Sequence, residues 1–212
     1  GGLGDVYKRQ FPTVQGEVIG TLAMSGGTDG LPTIYADLAI EGLSMPSFAV
    51  REASVLGKVV DLGASPSSLV VQAVGVVAGG RTLRQVRLDA TGTERNHNLV
   101  LFVNDGNVQA HARVQGGLVA GRYTGVVSDG RLQSTRGLFT QVQPSELRYE
   151  LNTKTLAVAA HCWQTQVDGA NTTGSLCLKD NLLLSPEAGQ VNMVIAKLDT
   201  SVFNPLLPND LS

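Results

Sequence analysis

From Val14 to about Ile195, apolar and polar residues alternate with a period of two, and no stretch shows the periodicity of an amphipathic helix. Val14, Gly16, Val18, Gly20, Leu22 and Met24 share one parity. Thr13, Gln15, Glu17 and Thr21 share the other, with Ile19 the one misfit. Ile34, Ala36, Leu38 and Ile40 repeat the pattern, as do Val108, Ala110, Ala112 and Val114. Leu147, Tyr149 and Leu151 follow it, and so do Val191, Met193 and Ile195. Successive side chains of a strand point to opposite faces, so each segment reads as a half-buried strand. An apolar sheet face has to meet a second sheet, a helix or a ligand. The pattern offers no helix for that role.

Turn signals punctuate the strands at Ser25-Gly26-Gly27-Thr28-Asp29-Gly30, Gly79-Gly80, Asn104-Asp105-Gly106-Asn107, Gly116-Gly117 and Ser128-Asp129-Gly130. Asp-Gly and Gly-Gly supply the positive φ angles of tight hairpins. Asp105-Gly106, between Leu99, Leu101, Val103 and Val108, Ala110, Ala112, is the clearest of them. A strand from Val14 to Met24 would extend ~35 Å, well beyond the usual ~17–20 Å. Gly16 and Gly20 on its apolar side would let it bend, as in a sheet curling across its own width. Short helical pieces are expected only near Ser44-Met45-Pro46-Ser47 and after Ser201, where Pro205 and Pro208 limit them.

Composition sharpens this expectation. Hydrophobic residues make up 42% of the 212 residues but aromatics only 5%, so the apolar supply is mostly Val, Leu and Ala. Small aliphatics line a surface better than they fill the space between packed sheets. The expected fold is therefore all-β: a long, curled, antiparallel-rich sheet forming a U-sectioned apolar groove. A structural or adhesive β-sandwich or β-solenoid module without transport is the alternative. A net charge of -2 leaves no electrostatic footprint for nucleic acid. The longest apolar run, Leu69 to Ala78, is interrupted by Gln72 and falls short of the ~20 residues of a spanning helix. The opening GGLGDVYKRQ, residues 1–10, resembles translated adapter sequence and is set apart. Residues 11–212 then read as a fragment of one elongated β-groove domain.

Candidate chemistry is sparse. Cys162 and Cys177 flank a loop rich in Asn, Thr and Gly. Their even count and the lack of a CxxC motif suit a disulfide in an oxidising compartment, or alternatively two buried thiols in a reducing one. A zinc site using His161, Cys162 and Cys177 lacks a fourth ligand of obvious spacing. Trp163 is expected as a lid over the sulfurs, and Asn171-Thr172-Thr173 fits a glycosylation sequon. His97, His111 and His161 stand apart, with no nucleophile motif beside them. No catalytic set, no metal site and no cofactor are expected, and the chain does not read as an enzyme.

Several stretches resemble the TamB-like proteins, relatives of the AsmA-like group. His161-Cys162-Trp163 followed by Leu176-Cys177 is similar to that family's H-C-W … L-C pair. His97, Leu99 and Leu101 resemble its H-x-L-x-L strand. Tyr123, Gly125 and Val127 stand where W-x-G-x-L is expected, with Tyr123 for tryptophan and Val127 for leucine. Phe203 to Pro208 resembles its hydrophobic segment ending in proline. The resemblance covers roughly residues 78–208 and implies an interior part of a longer protein. Such a protein would be anchored in the bacterial inner membrane by a helix absent from this chain, and would reach through the periplasm as a taco-shaped sheet. It would work with a TamA-like outer-membrane barrel through parts also absent here. It would support outer-membrane protein assembly and carry phospholipid acyl chains along its groove. The residues expected to line that groove are Val14, Val18, Leu22, Ile34, Leu38, Val108, Ala110, Ala112, Val114, Leu147, Tyr149, Leu151, Val191, Met193 and Ile195.

Overall fold

The computed structural model describes residues 14–26, 30–135, 137–167 and 173–197. Eight long strands come first: β1 (Gln15–Ser25), β2 (Thr33–Met45), β3 (Phe48–Val59), β4 (Ser67–Ala78), β5 (Arg81–Gly92), β6 (His97–Asn104), β7 (Val108–Val119) and β8 (Arg122–Ser134). Eight shorter ones follow, in pairs: β9 (Gly137–Gln141) and β10 (Ser145–Glu150), β11 (Thr155–Val158) and β12 (Cys162–Val167), β13 (Thr173–Leu178) and β14 (Leu182–Leu184), β15 (Gly189–Gln190) and β16 (Met193–Ala196). All 16 belong to one antiparallel sheet, open at both edges. A single 3₁₀ turn, Asp61–Gly63, is the one other element among the described residues. The expectation of one long, uncapped β-sheet is met, and a sandwich is not what forms.

The topology is a meander in which the later strands are each broken in two. β8 pairs with β10 along Arg122–Val127 and with β9 along Arg131–Ser134. β10 then pairs with β11 and β9 with β12, and the doubling continues through β14 and β13 to β15 and β16. The breaks fall at residues 142–144, 159–161, 179–181 and 191–192, side by side across the sheet. Backbone bonds carry the ladder through them, from Val142 N to Cys162 O (2.9 Å), Ala159 N to Glu146 O (2.8 Å) and Lys179 N to Asn192 O (2.9 Å).

This line of breaks continues across the earlier strands as a crease. In β8 the residues around Asp129 (φ 54°) form a bulge, where pairing shifts between His111/Arg131 and Arg113/Ser128. In β2 to β5 the pairing skips Gly42, Arg51, Gly75 and Arg84, which lie in register. Gly42 (φ 59°) and Gly75 (φ 65°) occupy the left-handed region that residues with a Cβ rarely enter. This interrupts the pleat, so residues three apart fall on one face: Ile40 with Leu43, Ala53 with Val50, Ala73 with Val76, Val86 with Leu83. Val50, Ala73 and Val76 form a buried cluster with Leu43, Phe48, Ala53, Leu83 and Val86 packed on it. The apolar face therefore folds inward along the crease. Apart from glycines, the buried residues among those described are Val50, Ala73, Val76, Val108, Phe139, Ser145 and Thr165, and all lie close to this inside corner.

Several local expectations change. Gly116-Gly117 is not a turn but sits inside β7; the turn comes at Ala120-Gly121, both at positive φ. Ser128-Asp129-Gly130 is the bulge within β8, since a positive φ can kink a strand without ending it. Pro46-Ser47 makes a two-residue hairpin between Met45 and Phe48, where a helical piece was expected. Residues after Ser201 lie outside the described residues. Gly79-Gly80 and Asp105-Gly106 turn as read, and β1 runs the expected length.

The rim opposite the corner is stitched from loop to loop. Leu62 N donates to Pro32 O (3.2 Å), Glu94 N to Gly63 O (2.7 Å), Leu118 N to Glu94 O (2.8 Å) and Leu151 N to Gly121 O (2.9 Å). The β5–β6 turn thereby lies directly on Gly117, where an added Cβ would overlap the Arg95 carbonyl. Gly117→Ala is expected to destabilise the sheet by about 1–3 kcal/mol, the range for forced overpacking. Gly26→Ala, with nothing near its Cβ position, should stay within ~0.5 kcal/mol of the parent. Paired denaturant-unfolding curves check both.

Candidate functional site: an uncovered apolar lane

Directly paired residues of neighbouring strands share a face, so the register traces the apolar face row by row. One row runs Gly20, Leu38, Val55, Val71, Leu88, Leu101, Ala112 from β1 to β7. A second runs Leu22, Ala36, Gly57, Leu69, Ala90, Leu99, Val114, Val127, Ser145 and reaches β10. A third starts at Val18 and Ile40 and passes through Ala73, Val103 and Ala110 to Leu132, Phe139 and Thr165. Their side chains are mostly half-buried, because same-face neighbours shield one another while no second layer covers them. At the β1 edge, with a neighbour on one side, Val18 and Leu22 are 60% and 69% exposed.

The opposite face is polar. Glu17, Thr21, Asp37, Glu52, Lys58, Gln72, Arg87, Asp89, Arg113 and Arg148 stand on it, and Ile19 pairs with Ala39 there as the misfit it was in sequence. Arg87 and Asp89, two apart on β5, form a bidentate pair (2.7 and 2.8 Å). The guanidinium's hydrogen bonds hold the Asp89 carboxyl below the usual carboxylate range.

Most expected lining positions fall on the apolar face. Val18, Leu22, Ile34, Leu38, Ala110, Ala112, Val114, Leu147 and Tyr149 lie along it, and Val108 lies in its inside corner. Met193 and Ile195 join through Leu178 and Leu176 on β13. Three do not sit in strands: Val14 precedes β1, Leu151 falls in the β10–β11 turn, and Val191 in the break between β15 and β16. The middle of the lane on β3 to β6 escapes the sequence pattern. On β4, Val70 and Val74 occupy the polar face, so apolar residues run on both sides and the period of two is hidden.

Cys162 and Cys177 form a disulfide, with Cα atoms 4.0 Å apart on directly paired positions of β12 and β13. They share a face with Val194, away from Trp163, which as the next residue points the other way. Trp163 is thus no lid over the sulfurs. Its ring tip instead reaches over Gly130, where a Cβ would stand 2.5 Å from Cη2. Each histidine Nδ1 donates to a backbone carbonyl: His97 to Thr93 (3.0 Å), His111 to Asp129 (3.2 Å), His161 to Ala159 (2.8 Å). Among the described residues no three His, Cys, Asp or Glu side chains gather as metal ligands would.

One contact joins two motifs far apart in sequence. With Nδ1 donating, the His97 Nε2 accepts from the Tyr123 hydroxyl at 3.2 Å, and the rings stand 5.5 Å apart. The Tyr123 side chain crosses Gly125 and Gly116; Cβ atoms there would come within 3.1 Å of its ring and 2.8 Å of its hydroxyl. That explains the glycine two residues after the aromatic. Burial raises the Tyr123 pKa above its ordinary 10.0.

An open, creased sheet with one continuous apolar face and no covering layer is a β-groove architecture. The chain belongs to the TamB family: the family model for the TamB N-terminal domain matches residues 7–212. A curated relative, the translocation and assembly module subunit TamB of Haemophilus influenzae, is 27% identical over 167 residues, which cover 77% of this chain and 12% of that protein. The chain thus spans a small part of the relative's length. No solved structure matches it.

Two outcomes follow from the site. Cys162→Ser is expected to cost about 3 kcal/mol of stability, the chain-entropy value for a loop of this size, and peptide mapping without reductant should recover the linked pair. Tyr123 stays protonated in the folded state at pH values where the unfolded chain has ionised. Its contribution is therefore complete below pH ~10 and lost as pH rises through the raised folded value. Alkaline unfolding of Tyr123→Phe should lack that component.

Proposed function

We propose that this chain is a periplasmic segment of a translocation and assembly module subunit, and that its apolar lane carries phospholipid acyl chains between the membranes. The protein containing it would be anchored in the inner membrane and would act with a TamA-like outer-membrane barrel. The family membership supports the module; the lane supports the cargo. The single observation that carries the reading is the set of unbroken apolar rows crossing the sheet with nothing packed on them.

The energetics suit transport rather than tight capture. Each CH₂ moved from water onto the lane gains up to ~0.8 kcal/mol, so part of an acyl chain suffices for retention. Val, Leu and Ala recur from strand to strand, which leaves no single deep well along the path. The polar outer face stays hydrated, and no helix among the described residues is long and apolar enough to cross a membrane.

Ala112→Asp, at the end of one row, places a carboxylate where acyl chains would lie, at a half-buried position that a folded sheet can hydrate. In the full-length protein it should lower the co-purified phospholipid several-fold. Gln109→Asp, on the polar face of the same strand, should leave it unchanged. Lipid mass spectrometry of the two variants decides, and equal lipid in both would refute the lane as cargo path.

A further inference from the structure

The polar face holds a recess that the lane does not use. Where β7, β8, β10 and β11 run side by side, a cavity of about 460 Å³ opens on it, within the ~300–1,000 Å³ of small-molecule sites. Register explains the hollow. Gly117, Thr124, Arg148 and Ala157 pair in one row on the polar face, so three short residues make a low floor with Arg148 rising from it. One wall is the β5–β6 turn, held against Gly117 by the bond from Leu118 N to Glu94 O (2.8 Å), which brings Arg95 and Asn96 to the cavity. At the far side stands Asn181, whose Oδ1 accepts from Ala160 N (3.3 Å) and whose amide N–H groups remain as donors.

Two guanidinium groups thus border one recess, and neither Arg95 nor Arg148 joins the ion pairs seen among the described residues. Gly117, under Arg95, and Arg148 stand two strand spacings apart, ~10 Å, so both long side chains can converge above Thr124. A guanidinium fork matches a carboxylate in two parallel hydrogen bonds. The amides of Asn96, Gln115 and Asn181 suit the hydroxyl and amide groups of sugar and peptide units, and Glu146, on the next row, accepts from an amine or amide N–H. We propose that this recess binds the carboxylate-bearing peptide stem of the cell-wall glycopeptide, docking the outer face of the groove to the wall it passes. The inference rests on the periplasmic placement of the preceding reading and not on the lane's cargo. An anionic lipid fits less well, because the recess and the lane lie on opposite faces and its acyl chains would be left in water.

The test uses the full-length protein in mild detergent, with a soluble disaccharide-tetrapeptide released from the wall as probe and the same disaccharide without its peptide as control. Calorimetric titration should show binding of the first and none of the second. Arg95→Gln with Arg148→Gln, which removes two charge-assisted contacts at exposed positions, should weaken binding tenfold or more. Lys58→Gln, on the polar face away from the recess, should leave it unchanged. Equal affinity of the double variant and the parent overturns the site. Equal binding of the bare disaccharide overturns the peptide stem as ligand, and displacement by inorganic phosphate at matching concentration reduces the recess to a general anion site and overturns the wall assignment. Phospholipid co-purified with each variant is measured in parallel. Parent-level lipid in a double variant that has lost the glycopeptide is the expected result and shows the sheet intact. Lipid retained by a parent that never binds the glycopeptide overturns this inference alone and leaves the lane standing.

Discussion

Everything in this sheet depends on how a single layer shields an apolar face without a second layer. The answer is the crease, where the face closes on itself and Val50, Ala73 and Val76 meet Leu43, Phe48, Leu83 and Val86. Two backbone positions make that contact possible: Gly42 and Gly75 take left-handed angles that interrupt the pleat and bring residues three apart onto the same side. A regular strand at Gly42 would send Leu43 to the polar face, and one at Gly75 would send Val76 there, so the corner would lose its packing. Packing bulk is therefore confined to one line, and the remaining apolar surface is left only half covered. Stability and an accessible lane come from one arrangement.

The hydrogen-bond ladder does the rest. From β1 to β8 each strand pairs with its sequence neighbour, so contacts are local and the register is set hairpin by hairpin. The later strands keep this order although each is broken in two, because backbone bonds such as Val142 to Cys162 bridge the gaps. The disulfide lies beside that line of breaks, on adjacent strands whose register the ladder already fixes. Its effect is to hold β12 to β13 where the ladder is interrupted on both sides.

Alternation made the fold class legible, along with the polarity of the two faces and most of the lane. Val18, Leu38, Ala112 and Tyr149 lie where a period of two puts them, and even the misfit Ile19 sits on the polar side. The crease was not legible. Glycine and Asp-Gly signals mark positive φ, and the same signal serves a hairpin at Gly79-Gly80, a bulge at Asp129-Gly130 and a pleat interruption at Gly75. Only cross-strand register tells these apart, and register is a property of pairs of strands. The Trp163 expectation failed for a simpler reason: adjacent residues of a strand face opposite ways, so sequence proximity to Cys162 argued against contact with the sulfurs. The His97–Tyr123 contact spans 26 residues and could be suspected only from the two motifs that each contain one partner.

The loop-to-loop backbone bonds along one rim have a mechanical meaning. Pro32, Gly63, Glu94 and Gly121 tie successive turns together in the direction across the strands, whereas among the described residues the turns of the other rim have no such ties. Pulling the molecule lengthwise must rupture these bonds along with the ladder. Splaying its mouth breaks none of them. The sheet is thus stiff along its long axis and compliant across its opening, so its width can change while its length is held.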